Sequence, residues 1–221
     1  MSRRRKGKVT IRDVAEELGV HHSTVSRALS PDKRSKISPE VVKKVETTAK
    51  RLGYFPNLLA SSLKQNRSFA IGVLVPDLTN PLFPPIIRGI QDTAETAGFT
   101  VIIANTDDDE DKTFEAMQTM QSRSIEGVLI ATARRNDPTV EHCIQNDIHF
   151  VLVNRTVDRD DINAIILDED LGIRLLLDHL IDLGHTRIAH VAGPQDASTG
   201  HARARACQYR WMAVSTRQGH R

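Results

Sequence analysis

The stretch TIRDVAEELGVHHSTVSRALS, residues 10–30, predicts two short helices joined by a tight turn. Thr10 can cap the first helix, because the acidic Asp13 follows three positions later. Gly19 ends that helix, and a second amphipathic segment begins directly after it. Apolar residues recur at helical spacing on the inner faces of both segments. They are Ile11, Val14, Ala15 and Leu18 in the first segment and Val25, Ala28 and Leu29 in the second.

The outer face of the second helix carries small polar and basic side chains, which can reach into a groove. They are His22, Ser23, Thr24, Ser26 and Arg27. A helix-turn-helix needs a first helix that packs across the second. It also needs a second helix whose early residues carry donors and acceptors for base edges and phosphates. The pattern therefore favours a DNA-binding module.

A third helix and a short fourth segment follow. Ser38, Pro39 and Glu40 indicate a capped helix start, and Gly53 indicates its end. The predicted buried stripe of this helix is Val41, Val45, Ala49 and Leu52, which would complete a three-helix core. Residues 57–64, NLLASSLK, are helical in pattern but too short to be stable alone in water. We expect them to form a linker that orders only on a partner; a plain connector is the alternative.

Charge is distributed unevenly along the 221 residues. Residues 1–68 hold 16 Lys and Arg against 6 Asp and Glu, a net charge of +10, whereas residues 69–200 carry −13. A basic head on an acidic body fits a polyanion-binding module joined to a domain that does not touch the polyanion. The alternative, that the basic residues only increase solubility, fits less well because they coincide with the helix-turn-helix pattern.

The chain offers few signs of another class of protein. Its two cysteines, Cys143 and Cys207, imply no disulfide framework. No apolar run approaches membrane length, and the basic N-terminal residues 2–8 lack the apolar region of a secretory signal. We therefore expect a cytoplasmic protein, with residues 2–8 as a disordered arm that adds phosphate contacts.

From Phe69 onward, apolar β-branched runs alternate with helical patterns. The predicted strands are residues 70–75, 100–104, 127–131 and 150–153, and the predicted helices are 83–97, 111–123 and 137–146. This order predicts a doubly wound α/β domain with a parallel sheet and a ligand at the carboxyl ends of the strands. The polar residues there suit a small polyhydroxylated ligand, although each could also serve only in a loop or a helix cap.

A second α/β unit is predicted from about residue 167. It begins with an apolar helix over residues 171–183, which Gly184 ends. A buried strand is expected over residues 188–193, IAHVAG.

Several motifs resemble the lactose-repressor (LacI/GalR) family of bacterial transcription regulators. In the N-terminal part they are residues 9–15, Gly19-Val20, residues 24–29, Gly53-Tyr54, Pro56-Asn57, Ala60 and Leu63. In the remainder they are residues 71–73, Asn80-Pro81, His179-Leu180, Gly184-His185, residues 187–189 and Gly193-Pro194. The resemblance covers about residues 8–204. It implies a helix-turn-helix head, a periplasmic-binding-protein-like α/β regulatory domain, operator DNA as partner, a homodimer and a small sugar-like effector.

The resemblance also assigns roles to individual residues. The implied DNA contacts are Thr10, His22, Ser23, Thr24, Ser26, Arg27 and the hinge residues Asn57, Ala60 and Leu63, with Leu63 as an apolar wedge in the minor groove. The implied effector residues are Asn80, Phe83, Asn154 and Arg203: a stacking ring, two amides for hydroxyl groups and a charged clamp. His21 departs from the family, which usually has serine at that helix cap.

Domain boundaries follow from these patterns. We predict a DNA-binding domain over residues 1–56, a hinge helix and linker over 57–68, and an effector-binding subdomain over 69–166. A partial second subdomain would occupy residues 167–204. Residues 205–221 form a basic segment without acids, with neither helical nor strand periodicity and no family match. We expect an apparently truncated regulator, whose second subdomain is incomplete and unstable; a genuine basic tail is the alternative.

Other functional sites find less support in the sequence. His179, His185 and His190 match no zinc spacing, and the acids of residues 107–111 are explained by a helix N-terminus. No nucleophile elbow, phosphate-binding glycine loop or suitably spaced Cys–His pair is present. We therefore expect no metal, no cofactor and no enzyme. The alternative to a regulator is a sugar-binding or sugar-processing α/β protein with an incidental basic N-terminus.

Overall fold

The computed structural model describes residues 9–30, 34–54 and 67–218, with side chains as far as residue 211. The chain divides into two compact units, residues 1–66 and 67–221.

The N-terminal unit contains a small helical core. Its α-helices are α1 (Ile11–Leu18), α2 (His22–Ala28) and α3 (Pro39–Leu52), with a 3₁₀ turn at Arg34–Lys36. One buried apolar cluster joins the three α-helices; it comprises Val14, Ala15, Val25, Ala28, Val42, Val45 and Ala49. The predicted three-helix core is thus confirmed, although α3 is rotated slightly from the prediction. Val42 is buried in place of Val41, which is only half-buried.

The ends of these helices follow from local hydrogen bonding. Thr10 and Asp13 form the predicted capping box: Thr10 Oγ1 accepts from the Asp13 amide, and Asp13 Oδ2 accepts from the Thr10 amide at 2.7 Å. Gly19 adopts φ +63°, a left-handed conformation that glycine adopts without a steric cost. The expected cap of α3 is partly wrong, because Ser38 precedes the helix but its side chain makes no capping hydrogen bond.

The C-terminal unit contains a five-stranded parallel sheet. The strands are β1 (Ala70–Val75), β2 (Thr100–Asn105), β3 (Gly127–Ile130), β4 (Phe150–Val153) and β5 (Ala164–Ile165). Their spatial order is β2-β1-β3-β4-β5, and every neighbouring pair is parallel. The four predicted strands are confirmed. The two-residue strand β5 is too short to produce a recognisable sequence pattern.

Helices cover both faces of this sheet. They are α4 (Phe83–Thr96), α5 (Glu110–Ser122) and α6 (Pro138–Gln145). Because side chains alternate along a strand, Leu74 of β1 packs with α5 and α6, whereas Val73 and Val75 pack with Phe83 and other residues of α4. The sheet is therefore buried on both faces, as its continuous apolar strands predict.

Gly72 marks the closest approach between the sheet and α5. A Cβ atom added at Gly72 would lie 2.5 Å from Met120 Sδ, 3.2 Å from Val128 Cγ2 and 3.3 Å from Ile125 Cδ1. Met120 is itself only 3% exposed. Little room for a side chain remains at position 72.

The predicted second unit differs from the expectation. Helix α7 (Glu169–Asp182) forms, but residues 185–194 belong to no helix or strand, and Val191 is 95% exposed. The buried strand predicted at residues 188–193 is therefore wrong. A strand needs a neighbour for its backbone hydrogen bonds, and no described strand pairs with this segment.

The prediction that residues 205–221 lack helical structure is also wrong, because α8 (Ser198–Gln218) runs through most of them. Helix α8 packs on α7: Leu177 and Ala206 are buried, and Arg210 pairs with Asp178. Neither α8 nor any other helix in the described part of the chain is long and apolar enough to cross a membrane.

Much of the apolar surface of α7 remains in contact with solvent. The large exposed apolar residues in and beside this helix are Ile165, Ile166, Leu167, Leu171, Leu175, Leu176 and Leu183. The exposed fractions of Leu175 and Leu183 are 61% and 64%. An exposed apolar surface of this kind lowers stability and favours association.

We predict that Gly72→Ala lowers the free energy of unfolding by about 1 to 3 kcal/mol, because the new methyl group overpacks the core between β1 and α5. Urea denaturation of the whole chain, followed by circular dichroism, measures the change. Gly89→Ala is the matched control: it lies in α4, where an added Cβ meets nothing within 4 Å. Gly89→Ala should leave stability unchanged or raise it by up to about 1 kcal/mol. Equal effects of the two changes would contradict the packing interpretation.

We also predict that proteolysis of the C-terminal unit begins in residues 185–194, where the backbone is exposed and outside regular structure. Limited digestion with trypsin, analysed by mass spectrometry, should show cleavage after Arg187 before cleavage after Arg88 of α4 or Arg123. Arg187→Gln should delay the first cut within this unit. Survival of the bond after Arg187 while those after Arg88 and Arg123 are cut would refute the prediction.

Candidate functional site

The N-terminus of α2 is held by an unusual cap. The backbone amide of Ser23 donates to His21 Nδ1 at 3.3 Å, and Ser23 Oγ lies 2.8 Å from the same nitrogen. The imidazole rings of His21 and His22 are adjacent, with centroids 4.1 Å apart. His21 thus supplies the acceptor that a serine cap would provide, and α2 begins at His22.

The predicted DNA contacts in the described residues differ in their exposure. His22, Ser26 and Arg27 are exposed, and Ser23 and Thr24 are half-buried. Thr10 is exposed as well, but its hydroxyl also donates to Asp13 Oδ2 at 2.8 Å. Arg27 forms no ion pair with any described residue, whereas Arg51 is paired with Glu17 at 2.5 Å. The outer face of α2 therefore presents several polar groups and a guanidinium that has no ion-pair partner among the described residues.

Several predicted positions lie outside the described residues. They are the N-terminal arm at residues 2–8 and the hinge residues Asn57, Ala60 and Leu63. Their proposed roles rest on the sequence.

A cavity of about 610 Å³ lies at the carboxyl edge of the sheet in the C-terminal unit. Its lining comes from loops after β1, β2 and β4 and from α8. The lining residues are Pro76, Asp77, Asn80, Leu82, Phe83, Asp107, Asp108, Asn154, Arg155, Thr199 and Arg203. The four predicted effector residues are all among them, so the structure brings Asn80, Phe83, Asn154 and Arg203 to one place.

Backbone geometry positions several polar side chains in the cavity. Asp107, Asp108 and Asn154 adopt φ values of +57°, +55° and +66°. Such left-handed conformations are most accessible to asparagine and aspartate among residues with a side chain. Asn105 ties the loops after β1 and β2 together, since its Oδ1 accepts from the Leu78 amide at 2.7 Å.

The charged groups of the cavity all have partners. Asp77 Oδ1 accepts from the amide and hydroxyl of Thr79, and these hydrogen bonds lower the pKa of Asp77. Lys112 donates to Asp107 at 2.6 Å, which lowers the pKa of Asp107 and raises that of Lys112. Asp77 and Asp107 therefore remain ionised at neutral pH.

Two arginine–carboxylate pairs complete the lining. Arg155 Nη1 donates to Asp108 Oδ1 at 2.6 Å, and Arg203 donates to both carboxylate oxygens of Glu169, at 2.5 and 2.7 Å. The hydrogen bonds from Arg203 to Glu169 raise the pKa of Arg203. Glu169 and the pairing role of Asp108 were not identified from the sequence. No local pattern connects Asp108 with Arg155, which lies 47 positions away.

The uncharged polar groups of the cavity make few hydrogen bonds within the described part of the chain. The side chains of Asn154 and Thr199 make no hydrogen bond with any described residue, and Asn80 uses only its Oδ1, which accepts from the Leu82 amide at 3.1 Å. Phe83 is 2% exposed and packs mainly in the core below. The structure thus leaves little of its ring open for the predicted stacking role.

Metal binding finds no support in the part of the chain that the structure describes: no three His, Cys, Asp or Glu side chains converge there as ligands. The cavity instead combines neutral amides and a hydroxyl with internally paired charges. Such a lining can orient a small polar molecule by hydrogen bonds.

Comparison with protein families gives two matches along the chain. Residues 10–57 match the family model described as bacterial regulatory proteins, lacI family. Residues 68–214 match the model for periplasmic binding proteins and the sugar-binding domain of the LacI family. The second match extends to residue 214, whereas the motifs that resemble the family end at about residue 204.

Curated relatives include two ribose operon repressors. The repressor from Halalkalibacterium halodurans is 34% identical over 194 residues, covering 88% of this chain and 57% of the relative. The repressor from Escherichia coli K12 is 33% identical over 195 residues, with coverages of 88% and 58%. This chain thus spans little more than half the length of these relatives.

Solved structures with the same fold include the lac repressor dimer bound to operator and the anti-inducer ONPF. It is 26% identical, has a TM-score of 0.80, and the match covers 95% of this chain and 63% of the repressor. The cellobiose complex of the transcriptional regulator CelR matches with a TM-score of 0.60 at 25% identity, with coverages of 94% and 62%. Together with the two family matches, these similarities show that the chain belongs to the LacI family of bacterial regulatory proteins.

Proposed function

We propose that the protein is a sequence-specific transcriptional repressor that binds operator DNA as a homodimer and responds to a small sugar-like effector. One observation carries this proposal. The same chain combines a helix-turn-helix unit, whose second helix exposes His22, Ser26 and Arg27, with a polar cavity at the carboxyl edge of a doubly wound sheet. The first feature suits DNA and the second suits a small ligand.

The DNA-binding half of the proposal rests on α2. Its N-terminus is capped, its inner residues Val25 and Ala28 are buried, and its polar outer face is accessible. One such module contacts too few base pairs for selectivity in a genome, which is why we propose a dimer on a near-palindromic site. The hinge residues Asn57, Ala60 and Leu63 would add minor-groove contacts. The relatives named ribose operon repressors and the operator-bound lac repressor dimer support this half.

The effector half rests on the cavity. Asn80, Asn154 and Thr199 can exchange hydrogen bonds with hydroxyl groups, and Arg203 forms part of the wall. The cellobiose complex of CelR supports a sugar as the class of ligand. Effector binding would change the affinity for DNA to the extent that the effector binds the two conformations of the regulator with different affinities.

A regulator fits the chain better than an enzyme. Burial raises the pKa of the Cys143 thiol to about 11, so this buried cysteine stays protonated at neutral pH and is not a ready nucleophile. The cavity acids are held by Thr79, Lys112 and Arg155. A sugar-binding protein without a DNA-related role would have no use for the exposed polar face of α2. As a regulator of bacterial genes, the protein would act in the cytoplasm.

We predict that Arg27→Ala weakens binding to the preferred operator about 10- to 100-fold, the usual effect of losing one good groove contact. The operator would first be selected from a random duplex library with the whole chain, and affinity would be measured by fluorescence anisotropy at physiological salt. Arg51→Ala is the matched control, because it removes the same charge from an arginine that is already paired with Glu17. Binding of all duplexes with equal affinity by the unchanged protein would contradict sequence-specific recognition.

We predict that Asn154→Ala lowers effector affinity at least about tenfold, because it removes two hydrogen-bonding groups from a cavity wall. A thermal-shift screen of neutral and acidic sugars on the whole chain would identify the effector, and calorimetry would give the affinity. Asn136→Ala, an exposed position outside the cavity, is the matched control. Equal losses for both variants, or stabilisation by no sugar, would argue against the effector assignment.

A further inference from the structure

The guanidinium groups of the cavity are already occupied by carboxylates of the same chain. Arg155 contacts both oxygens of Asp108, at 2.6 and 3.4 Å, and Arg203 contacts both oxygens of Glu169. A phosphate or carboxylate ligand is bound most strongly by this same two-pronged geometry. An anionic ligand would therefore have to displace an internal carboxylate before it could use either arginine.

Both pairs are shielded from water on one side. The side chains of Arg155 and Glu169 are only 16% and 15% exposed. Separating such a pair leaves a poorly solvated charge behind, which is costly. The displaced carboxylate would also remain near the incoming anion and repel it.

The net charge of the cavity wall also disfavours an anionic ligand. Asp77, Asp107 and Asp108 contribute three negative charges, whereas Arg155 and Arg203 contribute two positive charges. The partners behind them, Lys112 and Glu169, cancel each other. The described lining therefore has a formal charge of −1, which does not favour an anion.

Helix α4, one of the two helices whose first turn lines the cavity, offers no phosphate-binding N-terminus. Helix α4 starts at Phe83, and the next two residues, Pro84 and Pro85, have no backbone N–H. The amides of Leu82 and Phe83 are directed to Asn80, to its Oδ1 and its carbonyl oxygen at 3.1 Å each. At the start of α4, the donors by which a helix N-terminus usually binds phosphate are thus missing or used.

The groups that remain available are neutral. Asn154 and Thr199 have no side-chain partner in the described part of the chain, and the Nδ2 group of Asn80 makes no hydrogen bond there. Amides and hydroxyls of this kind match the alternating donors and acceptors of sugar hydroxyl groups. The paired carboxylates can accept further hydrogen bonds from such hydroxyls without giving up their present partners.

From these observations we infer that the effector is an uncharged sugar and that the Asp108–Arg155 and Glu169–Arg203 pairs exclude phosphorylated and carboxylated sugars. The inference rests on the proposed function, whose effector class it narrows. The two pairs act as specificity determinants: they neutralise the arginines that an anionic sugar would need.

Calorimetry on the whole chain tests the inference with matched probes. These are D-ribose against D-ribose 5-phosphate, D-fructose against D-fructose 1-phosphate, and D-glucose against D-glucuronate. At least one neutral sugar should bind, and its charged counterpart should bind at least about tenfold more weakly. The difference should shrink as salt is raised, because salt screens the repulsion.

A double variant tests the role of the pairs. Asp108→Asn with Glu169→Gln keeps the shape of both side chains but removes the negative charges that neutralise the two guanidinium groups, so the charged counterpart should gain at least about tenfold in affinity relative to the neutral sugar. Asp92→Asn is the control, because it neutralises an acid of an exposed pair with Arg88 on α4. That change should not alter the preference. The comparison of probes on the unchanged protein remains decisive even if the double variant does not fold.

The outcomes separate the inference from the proposed function. Equal or tighter binding of the charged counterpart by the unchanged protein would overturn the inference and leave an effector-responsive regulator in place. Binding of none of the probes would overturn the inference together with the effector half of the proposed function. Operator binding, measured separately by anisotropy, tests the DNA-binding half and does not depend on either result.

Discussion

The central strands of the sheet are apolar on both sides, and neither side can be left in water without a large loss of stability. Helices α5 and α6 cover one face, and α4 packs on the other. The chain passes through a helix between β1 and β2, between β2 and β3 and between β3 and β4, so these strands run parallel and their carboxyl ends share one edge. Polar loops from distant parts of the sequence therefore meet there, and the cavity is a consequence of how the core is covered.

Bringing those loops together places several acidic side chains close to one another, and basic side chains of the same unit pair with them. Acids follow β1 and β2, where they cap helices and turns, and they would repel one another if unpaired. Lys112 pairs with Asp107, and Arg155 pairs with Asp108. Glu169 pairs with Arg203 of α8. The cavity consequently presents neutral groups, Asn154 among them, between charges that are already satisfied. Helix α2 shows the opposite arrangement, since Arg27 remains without an ion pair among the described residues.

Local and periodic features of this fold could be predicted from the sequence. The Thr10–Asp13 capping box and the strands β1 to β4 depend on residues close together in the chain. The two failed predictions in the C-terminal unit concern segments whose structure depends on packing against other parts of the chain. Residues 188–193 have the composition of a strand but no described strand beside them, and α8 forms where it packs on α7 despite weak periodicity. The predicted effector residues follow from the family resemblance. The Asp108–Arg155 pair could not be predicted, because only the fold brings together two loops that lie 47 positions apart in the sequence.

The contact between Gly72 and Met120 links two positions that lie 48 residues apart, since the sulfur atom occupies the space that a side chain at position 72 would need. The two positions are therefore coupled, and changes at them are not expected to be additive in their effect on stability. A shorter residue at 120 makes room for an alanine at 72 but leaves a cavity beside glycine, whereas an alanine at 72 beside methionine overpacks the core. The residue that suits one position thus depends on the residue at the other.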